Sequence, residues 1–164
     1  RALHTPAPTD APINAFRRGQ PIAELRPRVA NSIERLGDAI DAAAVAARVD
    51  RLLDVEDWQG APVWLHGDLH SANVVVRDGV ICAVIDFGDI TSGDPAVDLA
   101  IGWMLFDDAA LEVFRASVGT VDGATWSRAQ VWALHFALLY LLNSADNARF
   151  ARMGAQLLGR VAPT

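Results

Sequence analysis

Val63-Trp64-Leu65-His66-Gly67-Asp68-Leu69-His70-Ser71-Ala72-Asn73 runs without a break into Val74-Val75-Val76-Arg77-Asp78-Gly79-Val80-Ile81-Cys82-Ala83-Val84-Ile85-Asp86-Phe87-Gly88. Two apolar runs here each lead to a carboxylate, Val63–Leu65 to Asp68 and Val80–Ile85 to Asp86. Short runs rich in Val and Ile, bounded by Gly and Asp, read as strands. Arg77-Asp78-Gly79 reads as a tight hairpin turn, because Asp-Gly tolerates the positive φ such turns require. The hairpin pairs residues 73–76 with residues 80–85 and brings Asn73, at the start of one strand, close to Asp86, at the end of the other. Asp68 lies on the loop just before. Two carboxylates and an amide gathered at one sheet edge can hold a hard cation through oxygen and still leave one acid free for proton work.

Three motifs in this stretch and just beyond it carry a family resemblance. His66-Gly67-Asp68-Leu69-His70-Ser71-Ala72-Asn73 resembles the H-G-D-x-x-x-x-N catalytic loop of the aminoglycoside phosphotransferase and choline kinase family. Ile85-Asp86-Phe87-Gly88 resembles its metal-binding I-D-F-G, and Gly93-Asp94-Pro95-Ala96-Val97-Asp98-Leu99-Ala100 is similar to the G-D-P-x-x-D-L-A that follows. The motifs occur in order and at family-like spacing. The resemblance implies the C-terminal lobe of the protein kinase-like fold, mainly α with a small antiparallel β-hairpin region. It implies transfer of the γ-phosphate of ATP or GTP to the hydroxyl of a small molecule, with Mg2+ as cofactor.

Roles follow from the resemblance residue by residue. Asp68 is the expected catalytic base, accepting or orienting the proton of the attacking hydroxyl. Asn73 and Asp86 are the expected metal ligands and, through the metal, bind the nucleotide; Mg2+ needs few protein oxygens because it keeps waters and takes phosphate oxygens. His66 is expected to support the loop as a buried, hydrogen-bonded imidazole. Asp98 is expected to reach back and hydrogen-bond the catalytic loop; the alternative is an acid that complements a helix start. His4 and His135 read as incidental.

Composition narrows the partners. With 14 basic against 20 acidic residues the formal net charge is −6 over 164 residues, which argues against a general nucleic-acid binder and would suit a cationic acceptor. Cys82 is the single cysteine, sits in an apolar run, and reads as a buried inert thiol; no internal disulfide can form, which fits a reducing, cytoplasmic compartment. There is no signal-peptide pattern. Val131 to Leu142, the longest apolar run, is interrupted by His135 and too short for a bilayer, so it reads as a buried helix and no membrane partner is expected.

Every basic residue is arginine. Kinase-like phosphoryl transfer uses a lysine on the smaller lobe to hold nucleotide phosphates. No glycine-rich loop precedes the catalytic loop either. These features imply a missing N-terminal lobe of the same protein, and a 164-residue piece that alone binds ATP weakly and transfers no phosphate. Residues 1–21 then form a connector after that lobe, and 22–164 the helical catalytic lobe. Within the connector, Asn14-Ala15-Phe16-Arg17-Arg18-Gly19 could face a phosphate, but reads first as a solvated loop.

Helices are expected over 24–36 and 38–53, the second capped by Asp38, and over 94–106, capped by Asp94 with Pro95 in the first position. Further helices are expected over 109–118, over 125–142 with Thr125 as cap, and over 146–159. Residues 88–93 read as a polar loop. Two rival readings remain open: a relative acting on choline, homoserine, a sugar or a fructosamine, and a kinase-like fragment or binding module with no activity of its own.

Overall fold

The computed structural model describes residues 2–162. Among these, seven α-helices and four short strands form a mainly α lobe with two small antiparallel sheets, the architecture the motifs imply. The helices are α1 (Arg26–Leu36), α2 (Ala42–Leu52), α3 (Ala96–Leu99), α4 (Ile101–Leu105), α5 (Asp108–Ser117), α6 (Gly123–Leu142) and α7 (Ala148–Val161). The strands are β1 (Val63–Leu65), β2 (Val74–Arg77), β3 (Val80–Val84) and β4 (Thr91–Gly93).

Helix α6 is the axis of the lobe. Its sequence is apolar nearly all round, so it can be stable only with neighbours on every side. It packs against α1, α2, α3, α4 and α7. Leu134 and Leu138 are completely buried, and truncating either to alanine would cost about 2–5 kcal/mol. No helix among the described residues is long and apolar enough to cross a membrane.

Polar side chains set several boundaries differently from the sequence reading. Asp41, not Asp38, caps α2 by accepting from Ala44 N–H; Asp38 lies in a short 3-10 turn over Gly37–Ala39. Asp122, not Thr125, caps α6. Helix α7 begins at Ala148 under Asn147, whose side chain accepts from two backbone N–H groups. The helix expected over 94–106 is two short ones with a break at Ala100, although the Asp94 carboxylate does accept from Ala96 N–H. Residues 91–93 form a strand rather than a loop. Leu65, Trp64 and Val63 pair with Thr91, Ser92 and Gly93. Gly93 (φ 145°) is required there, because a side chain would collide with the Gly19 carbonyl, which accepts from Asp94 N–H at 2.8 Å.

The hairpin β2–β3 pairs Val74 with Val84 and Arg77 with Val80, with an irregularity between Val75 and Val76. Asp78 and Gly79 both have positive φ, 51° and 76°, as a two-residue type I′ turn requires. The hairpin projects from the lobe. Val76, Val80, Ile81 and Ile85 are all exposed. Cys82 is exposed with them, contrary to the buried thiol expected: an apolar run signals burial only when something packs on it. Residues before α1 lie against the lobe, with Pro6 bridging to Val63 and Trp64 N–H donating to the Thr5 carbonyl.

Candidate active site

The loop after β1 is fastened from behind. Both oxygens of the buried Asp98 carboxylate accept backbone N–H groups, from His66 at 2.9 Å and from Gly67 at 3.1 Å. His4 Nε2 lies 3.1 Å from the same carboxylate, so this histidine is not incidental. Gly67 has φ 77°, and a Cβ there would fall 2.3 Å from the Asp89 carbonyl; only glycine permits the turn and the close approach together. His66 is fully buried. Its Nε2–H donates to the Ile85 carbonyl at 2.9 Å and its Nδ1 accepts from Asp68 N–H at 3.3 Å. Those two bonds fix one neutral tautomer and tie the loop to the last residue before Asp86.

Asp68 is half-buried at the end of this loop. Arg18 donates to its Oδ1 at 2.5 Å and also reaches Asp89 at 3.2 Å, while His70 Nε2 lies 3.4 Å from its Oδ2. Burial alone would raise the Asp68 pKa. The His70 hydrogen bond and the Arg18 charge outweigh it and hold the carboxyl below the usual range. Asp68 is therefore an ionised acceptor throughout neutral pH, able to take a hydrogen bond from a hydroxyl.

Asn73 is buried at the foot of the hairpin. Its Nδ2 donates to the Asp68 carbonyl at 2.9 Å, and its own carbonyl accepts from Ile85 N–H at 3.0 Å. Its Oδ1 accepts no hydrogen bond among the described residues, which leaves that oxygen available to a cation. Asp86 follows Ile85 directly, is exposed, and holds a left-handed backbone at φ 64°. That conformation is uncommon outside glycine, with Asp and Asn the side chains that adopt it most readily, and such positions concentrate at functional sites. Asp68, Asn73 and Asp86 are thus joined by short loop and hairpin contacts, with His66 and Asp98 behind them. No cluster of three or more His, Cys, Asp or Glu side chains suited to a metal occurs among the described residues. An amide and one carboxylate fit a cation that draws its remaining oxygens from phosphates and water, as Mg2+ does.

Sequence reasoning missed Arg18. The hexapeptide 14–19 is solvated only over Ala15–Arg17: Arg18 is 8% exposed, its guanidinium stacks 4.8 Å from the Phe16 ring and 5.3 Å from Phe136, and Asn14 donates to the Asp89 carbonyl at 2.8 Å. No periodicity marks such a residue; only the tertiary position of Asp68 and Asp89 does. His135 was also read as incidental. It is buried in α6, and burial, then the charges of Arg18 and Arg28, lower its pKa to about 4. The unfolded chain therefore takes up a proton at this residue near its ordinary pKa while the folded chain refuses it. Stability from the neutral imidazole is complete above pH 6.5 and is lost as pH falls toward 4. Urea unfolding at pH 7 and pH 4 should show the wild type losing on the order of 3 kcal/mol more than His135→Gln over that interval. Equal losses would contradict it.

The model of a family described as "Phosphotransferase enzyme family" matches residues 1–132. No curated protein sequence matches the chain. Among solved structures, a thermostable mutant of aminoglycoside phosphotransferase APH(4)-Ia in ternary complex with AMP-PNP and hygromycin B is 27% identical, with a TM-score of 0.51 over 85% of this chain and 48% of that one. A second such mutant, in ternary complex with ADP and hygromycin B, is 22% identical at a TM-score of 0.51 over 87% and 50%. Macrolide 2'-phosphotransferase MphH from Brachybacterium faecium is 27% identical at a TM-score of 0.47 over 84% and 50%. The chain spans about half the length of each. The Asp68 loop, the β2–β3 hairpin and the Asp98 carboxylate all fall inside the matched residues, and the chain belongs to the phosphotransferase enzyme family.

Proposed function

We propose that this chain is the catalytic-loop-bearing C-terminal lobe of a cytoplasmic small-molecule O-phosphotransferase that uses ATP or GTP with Mg2+. The observation that carries the reading is the chain of short bonds that ties the Asp68 loop to the hairpin foot, Asn73 Nδ2 to the Asp68 carbonyl and Ile85 N–H to the Asn73 backbone carbonyl, with the ionised Asp68 carboxylate at one end and Asp86 directly after Ile85 at the other. In this reading Asp68 accepts the hydrogen bond of the acceptor hydroxyl and aligns its oxygen on the γ-phosphorus. Asn73 Oδ1 and the Asp86 carboxylate hold Mg2+, which, when bound, offsets charge on the nucleotide phosphates. His66 and Asp98 position the loop, His66 through its ring nitrogens and Asp98 through its carboxylate.

The exposed apolar hairpin supports a two-lobed parent. Val76, Val80 and Ile81 are 53%, 65% and 46% exposed, and large apolar side chains left open on one hairpin suit a surface that another part of the protein covers. A second lobe of the same protein covers it in this proposal, with the nucleotide base between. The 164-residue chain alone then binds nucleotide weakly and is inactive as an enzyme.

Asp86→Ala tests the metal assignment. Asp86 is exposed and donates nothing to the core, so the variant folds normally. In the two-lobed protein the Mg2+ concentration at half-maximal nucleotide binding should rise at least about tenfold, the scale of losing one charged ligand. An unchanged Mg2+ titration removes Asp86 from the site.

A further inference from the structure

A cleft of about 640 Å³ opens beside the catalytic loop, between α1, α6 and the segment that carries Arg18. That is within the size range of small-molecule sites. Its charged lining groups are Arg18, Arg28 and Arg35, with His135 between them and no carboxylate among the described lining residues. Arg18 is compensated by Asp68 and Asp89. Arg28 donates to the Phe16 carbonyl, and neither Arg28 nor Arg35 forms an ion pair among the described residues; nearby Glu24 is taken by Arg17 at 2.6 Å. The local charge is thus opposite to the net charge of −6 of the whole chain.

A second, independent observation points into the same cleft. Trp132 and His135, 2% and 7% exposed, both line it, and Trp132 Nε1 and His135 Nδ1 find no hydrogen-bond partner among the described residues. Indole N–H is a donor only. Buried orphan donors are rare in native proteins, and each calls for a partner such as a water, an ion or a ligand group. Two guanidinium groups without a direct ion-pair partner among the described residues, Arg28 only partly balanced by the Glu24 charge, and an unpaired indole N–H together make a receptor for a carboxylate or phosphate, groups that arginine binds through paired N–H donors. Arg18 forms the wall shared by the cleft and the catalytic loop, since it lines the one and bonds Asp68 of the other. A molecule held in the cleft therefore lies within one guanidinium of the Asp68 carboxylate.

We propose that this cleft is the acceptor subsite and that it selects an alcohol bearing an anionic group, carboxylate or phosphate, over a cationic amino alcohol. The proposal rests on the phosphotransferase reading above. In the reaction the acceptor oxygen bonds to the γ-phosphorus, the bond from that phosphorus to the bridging oxygen breaks, the nucleoside diphosphate leaves, and the hydroxyl proton passes to Asp68. Arg28 and Arg35 hold the anionic end of the acceptor and take no part in the transfer.

The test is a set of calorimetric titrations of the chain with D-glycerate, with glycerol 3-phosphate and with choline, repeated on the double variant Arg28→Gln/Arg35→Gln. Arg35 is exposed, and at the half-buried Arg28 glutamine keeps a donor of shorter reach beside the Phe16 carbonyl, so the variant should melt within a few degrees of the wild type. The anionic alcohols should bind and choline should not; the tighter of the two anions identifies carboxylate or phosphate as the recognised group. The double variant should lose at least tenfold in affinity, and Trp132→Phe should weaken the same ligand without unfolding the chain. Binding of choline alone, binding of none of the three, or anion binding indifferent to the arginines overturns the proposal. Mg–ATP is titrated separately. If its binding disappears in the double variant, the cleft holds nucleotide phosphates and the acceptor role is wrong. If the anions bind through the arginines while Mg–ATP ignores Asp86→Ala, the phosphotransferase reading fails and the acceptor role falls with it, though the anion site stands.

Discussion

Asp68→Asn in the proposed two-lobed protein should lower kcat by about 10²–10⁴-fold, the usual contribution of a positioned general base, while changing the Kd for Mg–nucleotide by no more than a few-fold. Asparagine keeps the size of the side chain but removes the charge that accepts the hydroxyl proton. The nucleotide side of the site is spared, because Asn73 bonds the backbone carbonyl of residue 68 rather than its carboxylate, and Asp86 lies across the hairpin. A group that acts on the reacting oxygen affects the transition state more than the ground state, so the loss belongs in kcat. Steady-state kinetics with the true acceptor, paired with nucleotide calorimetry, measure the two separately. Near-normal kcat removes Asp68 from the reaction; an equal loss in both quantities makes it a structural residue.

Asp94→Ala should lower the stability of the lobe by about 3–5 kcal/mol, the cost of leaving one partner of a buried ion pair alone. Arg128 is 2% exposed and bonded through all three nitrogens: Nε donates to Asp94 at 2.7 Å, and the two terminal nitrogens donate to the Glu56 carbonyl and Thr125 Oγ1, each at 2.8 Å. Removing the carboxylate strands a guanidinium in the core. A lobe of this size should melt about 10 °C lower. The double variant Asp94→Leu/Arg128→Met should recover most of the loss, because neither charge is then left unpaired. The damage should also reach the site. Asp94 anchors the entry to α3, and α3 carries Asp98, which fastens His66 and Gly67. A melting temperature unchanged in Asp94→Ala would show that the pair holds nothing together.

The sequence made the fold class and the hairpin legible for physical reasons that can be named. Asp78-Gly79 specifies a turn whose positive φ angles few other residues accept, and the Val-rich runs on either side can only pair. Helix α6 announces itself by an apolar run too long for a strand. The bonds that hold the Asp68 loop to the hairpin foot were within reach of the sequence because their partners lie within about twenty residues of one another. What stayed hidden depends on contacts between distant segments. Arg18 meets Asp68 across fifty residues, and His4 meets Asp98 across ninety-four. Cys82 was misplaced for the opposite reason: apolar sequence marks a surface that something can cover, and within the described residues nothing covers this one. The caps at Asp41 and Asp122 were missed because each helix start offers two capping side chains three residues apart, Asp38 and Asp41 before α2 and Asp122 and Thr125 at α6, and the choice between them is made by the turn before the helix.

The central claim, that Asn73 and Asp86 present a metal–nucleotide to Asp68, is tested most directly by paramagnetic broadening. Mn2+–ATP, added at a small fraction of the protein concentration to the isotope-labelled chain, reports even weak binding through the amide signals nearest the metal. The account predicts selective broadening of Asn73, Asp86 and Phe87, abolished in Asp86→Ala and diminished by excess Mg2+. Broadening confined to other acids of the chain, or the same pattern in Asp86→Ala, would contradict it.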